Sequence, residues 1–384
     1  AFYGAACCEK HGTGCQESDG VVQIMRIAYI TVHVAPEIMQ GGVGKKIRTQ
    51  MSIWRGLGHE VTLFSLTPAE IPFPDERQFI FDAKTNLLKR ESNRALGLMR
   101  MLDAIHEYKP DIIYLRFGLY SYPMHRLFKI APVILETNSD DRQEYQKRGA
   151  FFYWMNRLTR NLTFGSASGI ITPSHELVDI LLPKRDKPFR VISNGIDLSQ
   201  AEMLTPTNNK QPVVTMVCSP GMKWHGVDKL MKFAEKYPEI VVNLVGYSEK
   251  DLGAPAPSNV KLHGFLDKQG VRNVLAQTDV AFGTLALHRN QMQEASVLKV
   301  REALAYGIPV VIAFHDSDLH DVELDTILRI PNTEENVVEN AERIRQFAYS
   351  MIGKRVDINS VAPYLDQRKK EETRLEFFRR IVGN

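Results

Sequence analysis

"RIAYITVHVAPEIMQGGVGKKIRTQMSIWRGLGHEVTLFSL" occupies residues 26–66. Its opening "RIAYITVHV" is apolar and rich in strand formers, which predicts a buried strand. A loop with paired glycines follows. Ile47, Met51 and Trp54 then recur at helical spacing up to Leu57, and Gly58 stops the helix. "EVTLFSL" (60–66) is the next strand. Strand, loop, helix and strand in that order open a parallel, doubly wound sheet.

The pattern continues outward. "DIIYLRF" (111–117), "PVILET" (132–137), "SGIITPS" (168–174) and "FRVISNGID" (189–197) are further strand candidates. The polar, proline-punctuated stretch 199–212 reads as a linker. The plan then repeats. "VVTMVCS" (213–219) is a strand, and Val227, Leu230, Met231 and Ala234 mark one helical face. "EIVVNLVG" (239–246), a short helix near 268–276 and "IPVVIAF" (308–314) follow. Two α/β halves, 25–198 and 213–362, would face a cleft, with a charged helix at 363–384. Ligands of open α/β sheets bind at the carboxyl ends of the strands.

Composition sets limits. A chain of 384 residues with 44% hydrophobic and 24% charged residues suits a two-domain globular protein. No apolar run approaches the roughly 20 residues of a membrane span. The net charge of +3 is uneven: residues 25–200 hold 24 Lys/Arg against 18 Asp/Glu, and residues 201–384 hold 23 against 24. That basic front half suits an anionic partner, a membrane surface or simply scattered solvated charge. Residues 1–24 lack the layout of a signal peptide and read as a leader or non-native sequence before Met25. Cys7, Cys8, His11 and Cys15 lie there, but adjacent cysteines space zinc ligands poorly, and no metal site is expected. Cys218 alone in the body fits a reducing cytoplasm.

Three loops could touch a ligand. In "QGGVGKK", Gly41 and Gly42 precede a helix start that favours an anion, although the glycines do not form G-x-G-x-x-G. In "SPGMKWHG" (219–226), Lys223 and His225 could meet phosphate oxygens. In "QEASVLKVREALAYGIPVV" (293–311), Ser296 is a predicted N-cap for a helix from Val297 to Tyr306. The amides of Ser296, Val297 and Leu298 would then suit a diphosphate, with Lys299 and Arg301 adding positive charge. Glu294 before that helix and Glu302 within it could accept from hydroxyls on either side. Hexose, diphosphate and ribose have this order. Taken alone, the stretch reads more readily as an exposed helix face.

"GGVGKK", "ITPSHEL", "VISNGID", "WHGVDKLM" and Glu294-x7-Glu302 followed by "ALAYGIPVV" stand in the order seen in one group. The chain resembles the retaining GT-B glycosyltransferases of family four from Met25 to its end. The resemblance implies two Rossmann-like domains, the first for an acceptor and the second for a UDP- or GDP-linked sugar. It implies Glu294 on sugar hydroxyls as the catalytic-centre carboxylate and Glu302 on the ribose. The Ser296–Leu298 amides with Gly42 would hold the diphosphate, and Phe265 and Leu266 would lie by the base. No metal and no further cofactor is implied, the nucleotide sugar being a co-substrate. Surface polysaccharide or glycoconjugate synthesis in the cytoplasm would be the setting.

The pattern is broken in places. Where the family often has Gly-Arg and Lys-Gly, this chain has Ser219-Pro220 and His225-Gly226, so Lys223, His225 or Lys299 must supply the charge. Where many members carry a histidine in the first domain, the match gives Arg116. Arg116, Glu136 and Asn138 are the acceptor-side candidates at strand ends. Two rival readings use the same fold: a sugar-nucleotide 2-epimerase, and a non-catalytic homologue that binds a glycan. "KRGAFFYWMNRLTR" (147–160) mixes four cations with four aromatics and could touch the inner membrane face that carries a lipid-linked acceptor. No nucleic-acid partner is expected.

Overall fold

The computed structural model describes residues 23–32, 39, 41–70 and 76–383. Cys7, Cys8, His11 and Cys15, and the leader reading of 1–24, fall largely outside them. Seven parallel strands form the first sheet: β1 (Arg26–Val32), β2 (Glu60–Thr67), β3 (Glu76–Ile80), β4 (Ile112–Arg116), β5 (Val133–Glu136), β6 (Gly169–Thr172) and β7 (Phe189–Val191). Their order is β3-β2-β1-β4-β5-β6-β7. In the second domain, β8 (Val213–Val217), β9 (Val241–Val245), β10 (Val260–Leu262) and β11 (Val280–Phe282) come first. Then come β12 (Glu294–Ala295), β13 (Val310–Ile312), β14 (His315–Asp316) and β15 (Ile327–Arg329). Six of these pair in parallel in the order β10-β9-β8-β11-β13-β15, while β12 and β14 form a separate two-stranded ladder. The expected pair of doubly wound halves is the fold adopted.

Both faces of each sheet are covered, which is why the strands read as apolar runs rather than alternations. In β1, Ile27 and Tyr29 pack with Ile47, Met51 and Trp54 of helix α1 (Gly42–Gly56). Ala28, Ile30 and Val32 point the other way, onto Leu98, Met101 and Ile105 of α2 (Leu87–Tyr108). At the start of α1, a Cβ on Gly44 would lie 1.6 Å from the Met39 carbonyl oxygen. Only a glycine lets the chain pass there.

Helices α3 (Asp141–Arg148), α4 (Ala150–Phe164) and α5 (His175–Leu181) complete the first domain. In the second, α6 (Val227–Lys236) buries Val227, Leu230, Phe233 and Ala234, and α7 (Lys268–Ala276) and α8 (Leu298–Ala305) follow. The chain then returns through α9 (Ile358–Leu365) and α10 (Gln367–Val382). Leu375, Phe378 and Ile381 of α10 join the core of the first domain. Glu371 accepts from the Trp54 indole N–H at 2.8 Å, and Arg374 donates to the Tyr114 hydroxyl at 2.6 Å.

The outgoing and returning segments meet at the N-G-I-D stretch. Ile196 N–H donates to Leu365 O at 2.7 Å, and Gln367 N–H donates back to Ile196 O at 3.0 Å. A Cβ on Gly195 would stand 2.6 Å from Gln367 Cα, so this close approach needs glycine.

Candidate active site

The site begins at the carboxyl ends of the second sheet. Helix α8 starts at Leu298, with Val297 in the capping position and no side-chain cap. The expected cap, Ser296, serves otherwise. Its Oγ accepts from the Asn194 amide at 2.7 Å, and its carbonyl accepts from the Asn194 side chain at 2.7 Å. The N-G-I-D asparagine competes successfully for the hydroxyl, so the amides at the tip of α8 have no side-chain acceptor. The first amides of a helix also have no intrahelical partner. Lys299 stands half-exposed at this tip, its Nζ 3.7 Å from Glu302. Lys299 and Glu302 line a narrow cavity together with Val217 at the end of β8.

Facing this tip is the "WHG" turn. Gly226 takes φ +74° and begins α6, and a Cβ there would press on Leu285 at 2.9 Å. Leu285 and Ala286 amides donate to His225 O and Trp224 O, both at 3.1 Å, which fixes the turn against the loop after β11. Burial, aided by the charge of Lys299, holds the His225 imidazole below its ordinary pKa. His225 is thus a neutral hydrogen-bonding group at pH 7, and Lys299 is the nearby cation. Lys223 is exposed. Phe265, after β10, leaves its ring 93% exposed, with Leu266 partly covered beside it.

Glu294 is placed differently from expectation. It lies in β12, not in an open loop, and is 7% exposed. Its Oε2 accepts from the Glu176 amide of α5, in the first domain, at 2.8 Å. In return, Glu176 accepts from the amides of Gln293 at 2.9 Å and Glu294 at 2.8 Å. Behind it, Arg301 of α8 is fully buried and holds Asp316 of β14 at 2.7 Å and the Asn194 carbonyl at 2.5 Å. Arg301 also pairs with Asp318, which in turn takes Lys370 at 3.0 Å. Arg301, expected to add charge for the ligand, is committed to these partners instead.

In the first domain, the three acceptor-side candidates gather around a fourth residue. Glu136 ends β5 and is 2% exposed. Lys46 of α1 and Arg116 at the end of β4 each reach it at 3.0 Å. Lys46 also donates to Asn138 at 3.0 Å. Burial alone would raise the Glu136 pKa, but these two cations hold it well below the ordinary carboxylate range. Gly41 and Gly42 stand exposed at the start of the same helix.

Residues 40–200 match the family model described as Glycosyltransferase Family 4. That match spans most of the first domain. Across nearly the whole chain, solved structures share the fold. Sucrose-phosphate synthase from Thermosynechococcus elongatus is 16% identical with a TM-score of 0.65, over 94% of this chain and 99% of that one. A glycosyltransferase from Rickettsia africae is 14% identical with a TM-score of 0.66, over 94% and 100%. Anabaena HepE in complex with UDP-glucose is 16% identical with a TM-score of 0.60, over 92% and 98%. These likenesses speak for the GT-B fold. No curated protein matches the chain significantly. With a family 4 match over its first domain and this fold across the chain, the protein is a glycosyltransferase.

Sequence reasoning missed several residues of this transferase. Glu176 sits within "ITPSHEL", but nothing local marks its partner 117 positions away. Lys46 sits in "GGVGKK" beside the glycines that drew attention. Arg289 holds the "WHG" turn by donating to Lys223 O at 3.1 Å and to Asp228 at 2.7 Å. The aromatic stretch of the transferase also differs in detail. Arg160 faces inward to Asp141 at 2.9 Å, so it is not part of a surface. Among the described residues no helix is long and apolar enough to cross a membrane.

Proposed function

We propose that the enzyme moves a sugar from a nucleoside-diphosphate sugar, UDP- or GDP-linked, to a sugar or lipid-linked acceptor with retention of anomeric configuration. The observation that carries this reading is the tip of α8. Free amides, the half-exposed Lys299 and Glu302 occur together at the carboxyl end of the second sheet, and the Lys46–Arg116–Glu136 cluster lies at the carboxyl ends of β4 and β5 in the first. The helix tip and Lys299 would take the diphosphate, and His225 would donate a neutral hydrogen bond. Glu302 would accept from the ribose, and Phe265 would offer its exposed ring to the base. In retaining front-face chemistry the leaving phosphate takes the acceptor's proton, so no side-chain base is assigned. The charge that develops on the diphosphate meets fixed cations and amides, which would serve without a metal.

The acceptor would enter over Asn138 and Arg116. The setting we favour is the synthesis of surface polysaccharide or glycoconjugate in the cytoplasm, at the inner membrane face. Helix α4 supports it. Its polar Asn156 and Arg160 point inward to Asp141, at 2.6 and 2.9 Å. Its apolar Phe151, Trp154, Leu158 and Leu162 stand exposed on the other side, and it contains no acidic residue. Exposed Arg148 and Arg157 flank this stripe, which suits an anionic bilayer. Lys147, just before α4, reaches Asn290 of the second domain at 3.2 Å, so the stripe borders the cleft. Binding to anionic vesicles that survives Trp154→Ser with Arg157→Glu would remove this contact from the reading.

A thermal-shift screen of UDP-, GDP-, ADP- and dTDP-sugars, repeated with Glu302→Ala, tests the donor site. One class should stabilise the enzyme, and the effect should shrink in the variant. Survival of the full shift would undo the ribose assignment. Formation of a C2 epimer from the donor without acceptor would replace transfer by epimerisation.

A further inference from the structure

The geometry points to Glu176 as a positioning residue supplied by the first domain to the donor-sugar grip of the second. This rests on the reading that Glu294 contacts the donor sugar. Two carboxylates from different domains each accept the other residue's main-chain amide. Glu294 Oε2 takes the Glu176 N–H at 2.8 Å, and Glu176 Oε2 takes the Glu294 N–H at 2.8 Å. Glu176 also takes the Gln293 N–H through both oxygens, at 2.9 and 3.1 Å.

The consequences are specific. Glu176 lies in the first turn of α5, whose opening is set by Ser174 accepting from the Leu177 amide at 3.3 Å. The amide offered to Glu294 therefore belongs to a helix start, where N–H groups lack intrahelical acceptors and favour an anion. One oxygen of Glu294 is fixed by that amide. The other, Oε1, has no hydrogen-bond partner among the described residues and is left for a hydroxyl. The Gln293–Glu294 backbone is held by Glu176 from one side and by the ladder to His315–Asp316 from the other. The aim of Glu294 thus depends on the two domains being together. Glu176 couples the grip on the sugar, rather than that on the nucleoside diphosphate, to domain closure.

The test compares Glu176→Ala and Glu176→Gln with the unaltered enzyme, binding UDP beside UDP-glucose and GDP beside GDP-mannose. For the preferred pair, nucleoside-diphosphate affinity should stay within twofold. The extra affinity given by the sugar should fall about tenfold in Glu176→Ala. It should recover in part in Glu176→Gln, whose carboxamide oxygen can still accept. Solution scattering of the empty Glu176→Ala protein should show a larger radius of gyration. Equal losses for diphosphate and sugar nucleotide would reduce Glu176 to a structural role and overturn the inference, as would unchanged binding with an unchanged radius. If the unaltered enzyme binds no sugar nucleotide more tightly than its diphosphate, the reading of Glu294 fails instead. In that case the larger radius alone supports the coupling of Glu176 to closure, and an unchanged radius overturns it.

Discussion

Arg301 and Asp316 meet 2.7 Å apart with both side chains wholly excluded from solvent, joining α8 to the neighbouring two-stranded ladder. The pair ties α8 to β14, and through the Asn194 carbonyl it ties both to the first domain. Removing one partner leaves a buried charge uncompensated, which costs about 3–5 kcal/mol. Arg301→Ala should therefore lower stability by that order in urea unfolding. Arg301→Met combined with Asp316→Leu should lose markedly less. If the single variant lost less than about 1 kcal/mol, the pair would not anchor this layer.

Lys299 is the half-exposed cation at the tip of α8, 3.7 Å from Glu302. Lys299→Gln should weaken nucleoside-diphosphate binding about tenfold while leaving the thermal midpoint nearly unchanged, because the side chain is half-exposed. Calorimetric titration of the preferred diphosphate checks this. Unaltered affinity would move the diphosphate away from this helix.

The Glu136 cluster gives a pH dependence. Its carboxyl is held below the ordinary value of 4.5 by Lys46 and Arg116, despite burial. A depressed folded pKa means that the unfolded chain takes up the proton first as pH falls. The contribution is complete above the unfolded value and is lost as pH falls toward the folded one. Glu136→Gln should thus be less stable than the parent by a constant amount above about pH 5, and the gap should narrow below about pH 4. Urea midpoints measured from pH 7 to 3 would show it. A gap that widened in acid would reverse the assignment.

Trp54 fills the contact between α1 and the returning helix, stacking near Tyr29 at 5.8 Å and meeting Phe378 at 5.4 Å. Trp54→Ala should cost about 3–5 kcal/mol through the cavity it leaves, and should also remove one donor from Glu371, which Gln50, Gln367 and Arg374 still serve. Trp54→Phe separates the two effects, keeping bulk but losing the indole donor. It should cost about 1–3 kcal/mol. Equal losses in both variants, by urea denaturation, would show that hydrogen bonding rather than volume decides this junction.

Much of the fold was legible because β1 and its repeats are buried on both faces. Apolar runs such as "RIAYITVHV" and "EIVVNLVG" then announce parallel strands by themselves. Both ends of α8 were legible to within a residue, Gly307 marking the far one. The partners of its loop were not. Ser296 looked like a cap because Ser at such a position ordinarily is one, and only the meeting with Asn194 diverts it. Arg301 looked like a ligand-facing charge because its acidic partners, Asp316 and Asp318, lie in a separate segment. Glu176 carried no local sign of its partners, which depend on how two domains meet rather than on any local period.

The close passage of Gly195 beside Gln367 has one more consequence. The chain crosses between domains at two adjacent points, joined by reciprocal hydrogen bonds at Ile196. Two parallel tethers side by side behave like the leaves of a door: they permit swing about the line through them and resist twist around the long axis. Rotation of one half over the other is thereby channelled about a single axis. A bulkier residue at 195 would separate the tethers and release that restraint before it disturbed either sheet.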